Sequence, residues 1–298
     1  MVLDQKQRVL IDFCGGVDHA VALLYALQEP NVQVVGVICS DTVAERGTTL
    51  AQKVIDWAKP GCDIPVVAGD DRPLFATGTD SSARAEKMNA GVRLLVDEAN
   101  KADGELTLIT LGRLTTLARA AACEPLLAKK LKRVIVQGGA IRVPGDVTAV
   151  AEANIYADPE AAAFVLAAGL PVVLVPIDVT HPLTMTESKW ETLLSVAREN
   201  GMASRAKEGD GLQDVTDLRL HAWGAMVAAL HPARMHTQQM KLTIECASVL
   251  SRGAVLADLR AKPSVGTETE VCVNMDINSD APGEWLRVAL EKEGNIRR

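Results

Sequence analysis

Aromatic residues are scarce: three Phe, two Tyr and four Trp make up 3% of 298 residues. Ala, Val and Leu must therefore fill the core, as they do where helices are layered tightly on a sheet. No long uninterrupted apolar run occurs. The most apolar stretch, residues 161–177, is broken by Gly169 and Pro171, and the opening MVLDQKQRVLIDF lacks the apolar segment of a secretory signal. No membrane span or membrane partner is expected. The six cysteines, Cys14, Cys39, Cys62, Cys123, Cys246 and Cys272, form no CxxC pair. Scattered single thiols in a chain of this length point to a reducing, cytoplasmic setting. Cationic residues are outnumbered, 31 Lys and Arg against 38 Asp and Glu, for a net charge of -7. The only dense basic run, Lys129, Lys130, Lys132 and Arg133, reads as a solvated helix end. No nucleic-acid partner is expected, because binding a polyanion needs a concentrated basic face.

What is present is a core: hydrophobic residues are 48% and charged residues 23%. Length alone allows one large or two ordinary domains. No Gly/Ser/Pro linker divides the sequence, so a single domain over 1–298 is expected, with a helical subregion around 182–232.

Apolar strand segments alternate with helix-spaced ones. Strands are expected at 8–12, 32–39, 64–69, 106–111, 134–137 and 172–176, with helices at 17–28, 48–58, 85–99, 114–122 and 159–168 between them. Strands that are apolar throughout, rather than alternating, imply a parallel sheet covered on both faces. Residues 189–198 and 218–230 read as helices. The tail changes to strands at 235–245, 255–259 and 271–275, then a terminal helix at 285–292. The expected class is α/β: an open, mostly parallel sheet flanked by helices, with additional helices and a small antiparallel C-terminal portion.

The richest short segment is Ile11-Asp12-Phe13-Cys14-Gly15-Gly16-Val17-Asp18-His19-Ala20. If the first strand reaches residue 14, Asp12 and Cys14 share a face, and the glycines turn the chain into a helix carrying Asp18 and His19 in its first turn. Polar groups would then gather at the carboxyl edge of the sheet, where open α/β folds bind ligands. No GxxxxGK[ST] phosphate loop is present. A second cluster, Asp146, Glu152 and Asn154, precedes a helix begun by Asp158 and Pro159 and suits the reading of vicinal hydroxyls. Capping accounts for Asp158 but offers no ready role for Glu152 or Asn154. Of the histidines, His231 and His236 read as structural or exposed. Cys14, Asp18, His19 and His221 have zinc-competent chemistry but no recognised zinc spacing.

The glycine turn, the segment AEANIYADPEAA and the helix with His221 resemble the inosine-uridine preferring nucleoside hydrolase family, collinearly through most of residues 7–290. The resemblance implies the family's open α/β sheet, a homo-oligomer, and cleavage of the N-glycosidic bond of ribonucleosides by water oriented on calcium. The family signature Asp-x-Asp-Pro-Gly-x-Asp-Asp corresponds here to Asp12-Phe13-Cys14-Gly15-Gly16-Val17-Asp18-His19. Asp12 and Asp18 match. Cys14 replaces the aspartate that serves as metal ligand and general base, Gly15 the proline, and His19 another calcium-binding aspartate. The family's distal histidine–aspartate pair is His221-Ala222 here, and a backbone metal contact falls at Leu111.

Glu152 and Asn154 match sugar-contacting residues. Asp146 stands for a sugar-facing asparagine, and Asp178 matches a retained aspartate. Calcium wants roughly six to eight oxygen ligands, and three side-chain donors are gone, so no cofactor is expected, with zinc the alternative ion. The expected reaction is N-riboside hydrolysis by a non-standard, calcium-independent route. Asp12, Asp18 and His221 are its catalytic candidates, and Asp18, Asp146, Glu152 and Asn154 hold the ribose. The alternative is an inactive nucleoside binder or structural protein on the same scaffold.

Overall fold

The structure is a computed structural model that describes residues 6–40, 44–70, 72–75, 88–186 and 217–277. In chain order its elements are β1 (Gln7–Phe13), α1 (Val17–Gln28), β2 (Val32–Cys39), α2 (Ala44–Ala58), β3 (Val66–Ala68), α3 (Ala90–Ala102), β4 (Leu106–Thr110), α4 (Thr115–Cys123), α5 (Leu127–Lys130) and β5 (Leu131–Gln137). There follow α6 (Ala153–Ala157), α7 (Pro159–Ala167), β6 (Val172–Val175), α8 (Ile177–Thr180), β7 (Thr184–Thr186), β8 (Asp217–Arg219), α9 (His221–Leu230), β9 (Met235–Ile244), β10 (Val255–Ala257) and β11 (Thr267–Met275).

Nine strands form one sheet in the order β10-β9-β11-β6-β5-β4-β1-β2-β3. From β3 through β6 to β11 neighbours are parallel, whereas β9 runs antiparallel to both β11 and β10. The expected parallel sheet with an antiparallel C-terminal portion is what forms. Pleating explains the continuous apolar strands. Val9, Ile11 and Phe13 pack with α1, α2 and α9 on one face, while Leu10, Leu106, Leu108, Val134 and Val136 pack with α3, α4 and α7 on the other. Both faces are dry, so both sets of alternating residues must be apolar. On α9, which packs against α1, Ala222, Gly224, Ala225, Ala228 and Ala229 are buried, and at Gly224 an added Cβ would run into Leu183 and Thr180.

Several boundaries differ from expectation for local reasons. The helix expected over 85–99 begins at Ala90, because Asn89 caps it by accepting from Val92 N at 2.8 Å, and it ends where Asp103 turns left-handed at φ 46°. The fifth strand starts at Leu131, directly after the short α5. The last strand starts at Thr267, four residues before its expected 271. The helix expected over 218–230 begins only at His221, since Asp217–Arg219 pairs as an antiparallel strand with Thr184–Thr186. Of the 182–232 subregion, the described part is thus a strand pair and one helix. The expected helices over 189–198 and 285–292 lie outside the described residues. Of the basic run expected at a helix end, Lys129 and Lys130 end α5 whereas Lys132 and Arg133 lie on β5; Lys130 pairs with Glu124 and Lys132 with Glu105. Cys39 and Cys272 are buried, Cys14 and Cys246 half-buried, and Cys62 and Cys123 exposed. Among the described residues no helix is long and apolar enough to cross a membrane.

Candidate active site

The strand order from β3 to β6 reverses between β1 and β4, and such a switch point opens a crevice at the carboxyl ends of those two strands. Asp12 and Leu111 flank it: Asp12 pairs with Thr110 of β4, and Leu111 N donates to Asp12 O at 2.9 Å. The pleat sends Asp12 to the α3/α4 face with Leu10. There it is 2% exposed, bonded to Ser40, and its Oδ1 has no partner among the described residues. Burial pushes its carboxyl up to about 7; the Ser40 bond and Arg113 pull down and Asp70 pushes up. Around it Ser40 Oγ meets Thr116 Oγ1 at 3.0 Å, Asp70 N donates to Thr116 Oγ1 at 2.9 Å, and Asp70 pairs with Arg119 at 3.0 Å. Sequence reasoning missed this buried network. Its available signal was position, since Ser40, Asp70 and Arg113 each follow an apolar strand within three residues.

β1 ends at Phe13, so the alternation does not carry through to Cys14 as expected. Gly15 and Gly16 turn the chain at φ 86° and 128°, conformations that side chains resist, and Gly16 becomes the N-cap of α1. Cys14 lies half-buried against Gly112, where any added Cβ would sit 2.8 Å from that of Cys14. The Cys14 amide donates to His19 Nδ1 at 3.1 Å, so a neutral His19 carries its hydrogen on Nε2.

Asp18, in the first turn of α1, reaches across to α9 and accepts from Ala222 N at 2.6 Å and Trp223 N at 3.1 Å. The N-cap position of α9, Leu220, supplies no side-chain bond, so Asp18 caps that helix from another element. Burial pushes its carboxyl up to about 7 against the downward pull of the α9 amides.

The second cluster converges on the end of β5. Glu152 is the N-cap of α6, accepting from Ile155 N at 3.1 Å and from Gly139 N at 2.9 Å; burial pushes it to about 7 while the amides pull down. The expectation that no capping role awaited Glu152 is therefore corrected. Asn154 spends Nδ2 on Leu111 O at 3.1 Å, Gln137 O at 3.2 Å and Gln137 Oε1 at 2.6 Å, which pins α6 to the ends of β4 and β5. Asp146 is exposed, with Oδ1 accepting from Ala153 N at 2.9 Å. Asp178 accepts from Ile141 N and Arg142 N at 2.9 and 2.8 Å. Asp158 caps α7 as expected.

His221 opens α9. Its Nδ1 lies 2.7 Å from Thr180 Oγ1, and its ring centroid is 5.5 Å from that of His181. Burial, with His181, Arg219 and His19 adding to it, lowers His221 to about 4, so the imidazole is neutral near pH 7. His231 bonds Tyr25 Oη at 2.7 Å and His236 bonds Asp276 at 2.9 Å, both away from the site. The fold thus joins Asp18, His19 and His221 on the α1/α9 side and Glu152, Asn154 and Leu111 on the α6 side. Asp12 stands under the strand ends on the opposite face from His221.

The donor set does not fit calcium. Cys14 offers sulfur, the Nδ1 of His19 is taken by an amide, Ala222 presents only an N–H aimed at Asp18, and the Leu111 carbonyl already accepts from Asn154. Among the described residues no three His, Cys, Asp or Glu side chains converge on an ion site.

A family model described as inosine-uridine preferring nucleoside hydrolase matches residues 9–281. The chain belongs to that family. Among relatives of this nucleoside hydrolase family member, an uncharacterized protein of Schizosaccharomyces pombe is 28% identical over 277 residues, 84% of this chain and 89% of its own length. A probable uridine nucleosidase 2 of Arabidopsis thaliana is 32% identical over 217 residues, 65% and 66% of the two chains. Among solved structures, a plant nucleoside hydrolase superposes with a TM-score of 0.75 at 26% identity, covering 95% of this chain and 98% of the other. A purine-preferring ribonucleoside hydrolase from Gardnerella vaginalis shares the fold, with a TM-score of 0.78 at 21% identity over 97% and 99%.

Proposed function

We propose that this chain hydrolyses the N-glycosidic bond of a ribonucleoside or related N-riboside without calcium. The observation that carries the reading is the bond from Asp18 to the amides of Ala222 and Trp223, which sets a carboxyl group of raised pKa beside His221. Cleavage passes through an oxocarbenium-like state, which nearby carboxylates stabilise. With a pKa near 7, Asp18 is matched to taking a proton from water at neutral pH. Asp12, on the other face, supports the strand end beneath. Glu152 holds the α6 turn, so that Asn154 Oδ1 and Asp146 face the sugar. Thr180 fixes Nδ1 of His221, leaving Nε2 for the departing base. Conserving the pentose end while changing the ligand shell explains why sugar-facing residue types remain where donors for the cation do not.

Ribose released from a panel of ribonucleosides, with and without a calcium chelator, tests this. Turnover that survives chelation is expected. Turnover abolished by chelation would overturn the calcium-free route, and no release from any nucleoside would overturn hydrolysis itself. A second reading, a nucleoside binder without turnover, is favoured by how fully the oxygens of Asp18 and Glu152 are committed to amides. Calorimetric binding of the same compounds without ribose release would establish it.

A further inference from the structure

His181 is the residue at this site for which neither the signature nor the capping network accounts. It follows α8, its ring lies 5.5 Å from that of His221 at an interplanar angle of 57°, and its Nδ1 is buried with no hydrogen-bond partner among the described residues. Arg219, on β8 beside the start of α9, is exposed and near enough for its charge to act on both imidazoles; His19 bears on His221 from α1. Three of the chain's five histidines and one guanidinium therefore share one end of the site. Two carboxylates also bear on His181, but Asp178 is held by the Ile141 and Arg142 amides and Asp146 by Ala153 N, and Arg219 acts on His181 more strongly than either. Asp18 stands beside His221, its oxygens held by the Ala222 and Trp223 amides, while the charges that act on the His221 ring are those of His181, Arg219 and His19.

An end built from N–H donors and one fixed positive charge suits electron density that arrives as a bond breaks. The geometry points to a specific substrate class within the hydrolase reading, on which this inference rests: N-ribosides of acidic heterocycles, whose aglycone departs as an anion received by His181 and Arg219. The C1′–N bond breaks with its electron pair leaving on the aglycone. Water oxygen bonds to C1′, and the water proton passes to Asp18 and then to solvent. His221 contributes a neutral N–H rather than a transferred proton, in keeping with an imidazole that burial keeps uncharged.

The test compares xanthosine, assayed at a pH below the ionisation of its own ring N–H so that the aglycone leaves as a monoanion, with adenosine, whose base is less acidic, and includes 4-nitrophenyl β-D-riboside as a chromogenic probe with an acidic leaving group. The expected kcat/KM for xanthosine and the nitrophenyl riboside exceeds that for adenosine by at least about 100-fold, the scale of one replaced proton transfer. Arg219→Gln, at an exposed position, and His181→Asn should each lower kcat on xanthosine about tenfold or more, and by a clearly larger factor than on adenosine, with circular dichroism melts checking that each variant folds. Equal rates across the three compounds, or losses in the variants that are equal for xanthosine and adenosine, would overturn the inference and leave hydrolysis standing. If none of the three is cleaved, the inference falls, while hydrolysis itself is decided by the full ribonucleoside panel.

Discussion

Removing the Asp18 carboxylate should cost the fold more than any other single truncation at the site. Its two oxygens accept from Ala222 N and Trp223 N at 2.6 and 3.1 Å, joining α1 to α9 across 204 residues of sequence. In Asp18→Ala both amides lose a charge-assisted acceptor at the end of a helix with no side-chain cap of its own. Bonds to charged groups are worth roughly 1.5–3 kcal/mol each, and the partial exposure of Asp18 lets water recover some of that, leaving about 3 kcal/mol. At about 2–4 °C per kcal/mol for chains near this size, the thermal midpoint should fall by about 6–12 °C. Asp18→Asn keeps one acceptor and turns an N–H₂ toward the second amide, so it should lose about half as much. Circular dichroism melts of the wild type and both variants, with and without calcium, read this directly. A midpoint within about 1 °C of wild type in Asp18→Ala would refute the claim that this tie holds α9, since 1 °C is well under 1 kcal/mol. A calcium-dependent recovery would refute the claim that the tie is metal-free.

Two further outcomes follow from the buried groups. Asp12, Asp18 and Glu152 are each raised to about 7 from ordinary values near 4, so between those pH values the folded chain binds more protons than the unfolded one. Their contribution to stability is full at the acid end of that window and is lost as pH rises through 7. His221, lowered to about 4, and His181, lowered too, work in the opposite sense below about pH 6.5, but three carboxyls outweigh them. Thermal midpoints should fall between pH 5 and 7.5, and a midpoint that climbs across that range would contradict the burial of these groups. Ala222→Asp restores the residue type usual in the family at a fully buried position beside Asp18. An unpaired buried charge costs roughly 3–5 kcal/mol, so this variant should melt well below wild type, and added calcium should not restore it. Wild-type stability, or rescue by calcium, would mean that the site still forms a cation shell.

Much of the architecture was legible because it rests on composition and short-range pattern. β4, buried at each of its five residues, could be read directly as a strand of a doubly covered sheet. The boundaries that moved are those set by contacts outside the segment. Asn89 begins α3 later than its apolar spacing suggests, and pairing with Thr184–Thr186 makes Asp217–Arg219 a strand although the following residues favour helix. Lys132 and Arg133 disguise the start of β5, because a strand's first residues protrude from the sheet's covered centre and tolerate charge.

At the site, the position of each residue was legible and its bonding was not. The glycine turn placed Asp18 and His19 at the carboxyl edge, as expected, but nothing within twenty residues of Asp18 reveals that its partners are amides of α9. The same holds for Glu152 and Asn154. Their sequence neighbours suggest a sugar contact, whereas their bonds reach Gly139, Leu111 and Gln137. These ties share a physical logic. A bound cation would organise the glycine turn, the end of β4 and the start of α9 by drawing oxygens from all three toward one charge. Here Cys14 N on His19, Asn154 on Leu111 O, and Asp18 on the α9 amides bring the same three regions together by direct hydrogen bonds. These bonds pre-organise the three regions by themselves, and among the described residues no three His, Cys, Asp or Glu side chains converge on an ion site. Pre-organisation without metal leaves the departing base, not the water, as the part of the reaction still lacking a positive charge, and His181 with Arg219 is where the fold supplies one.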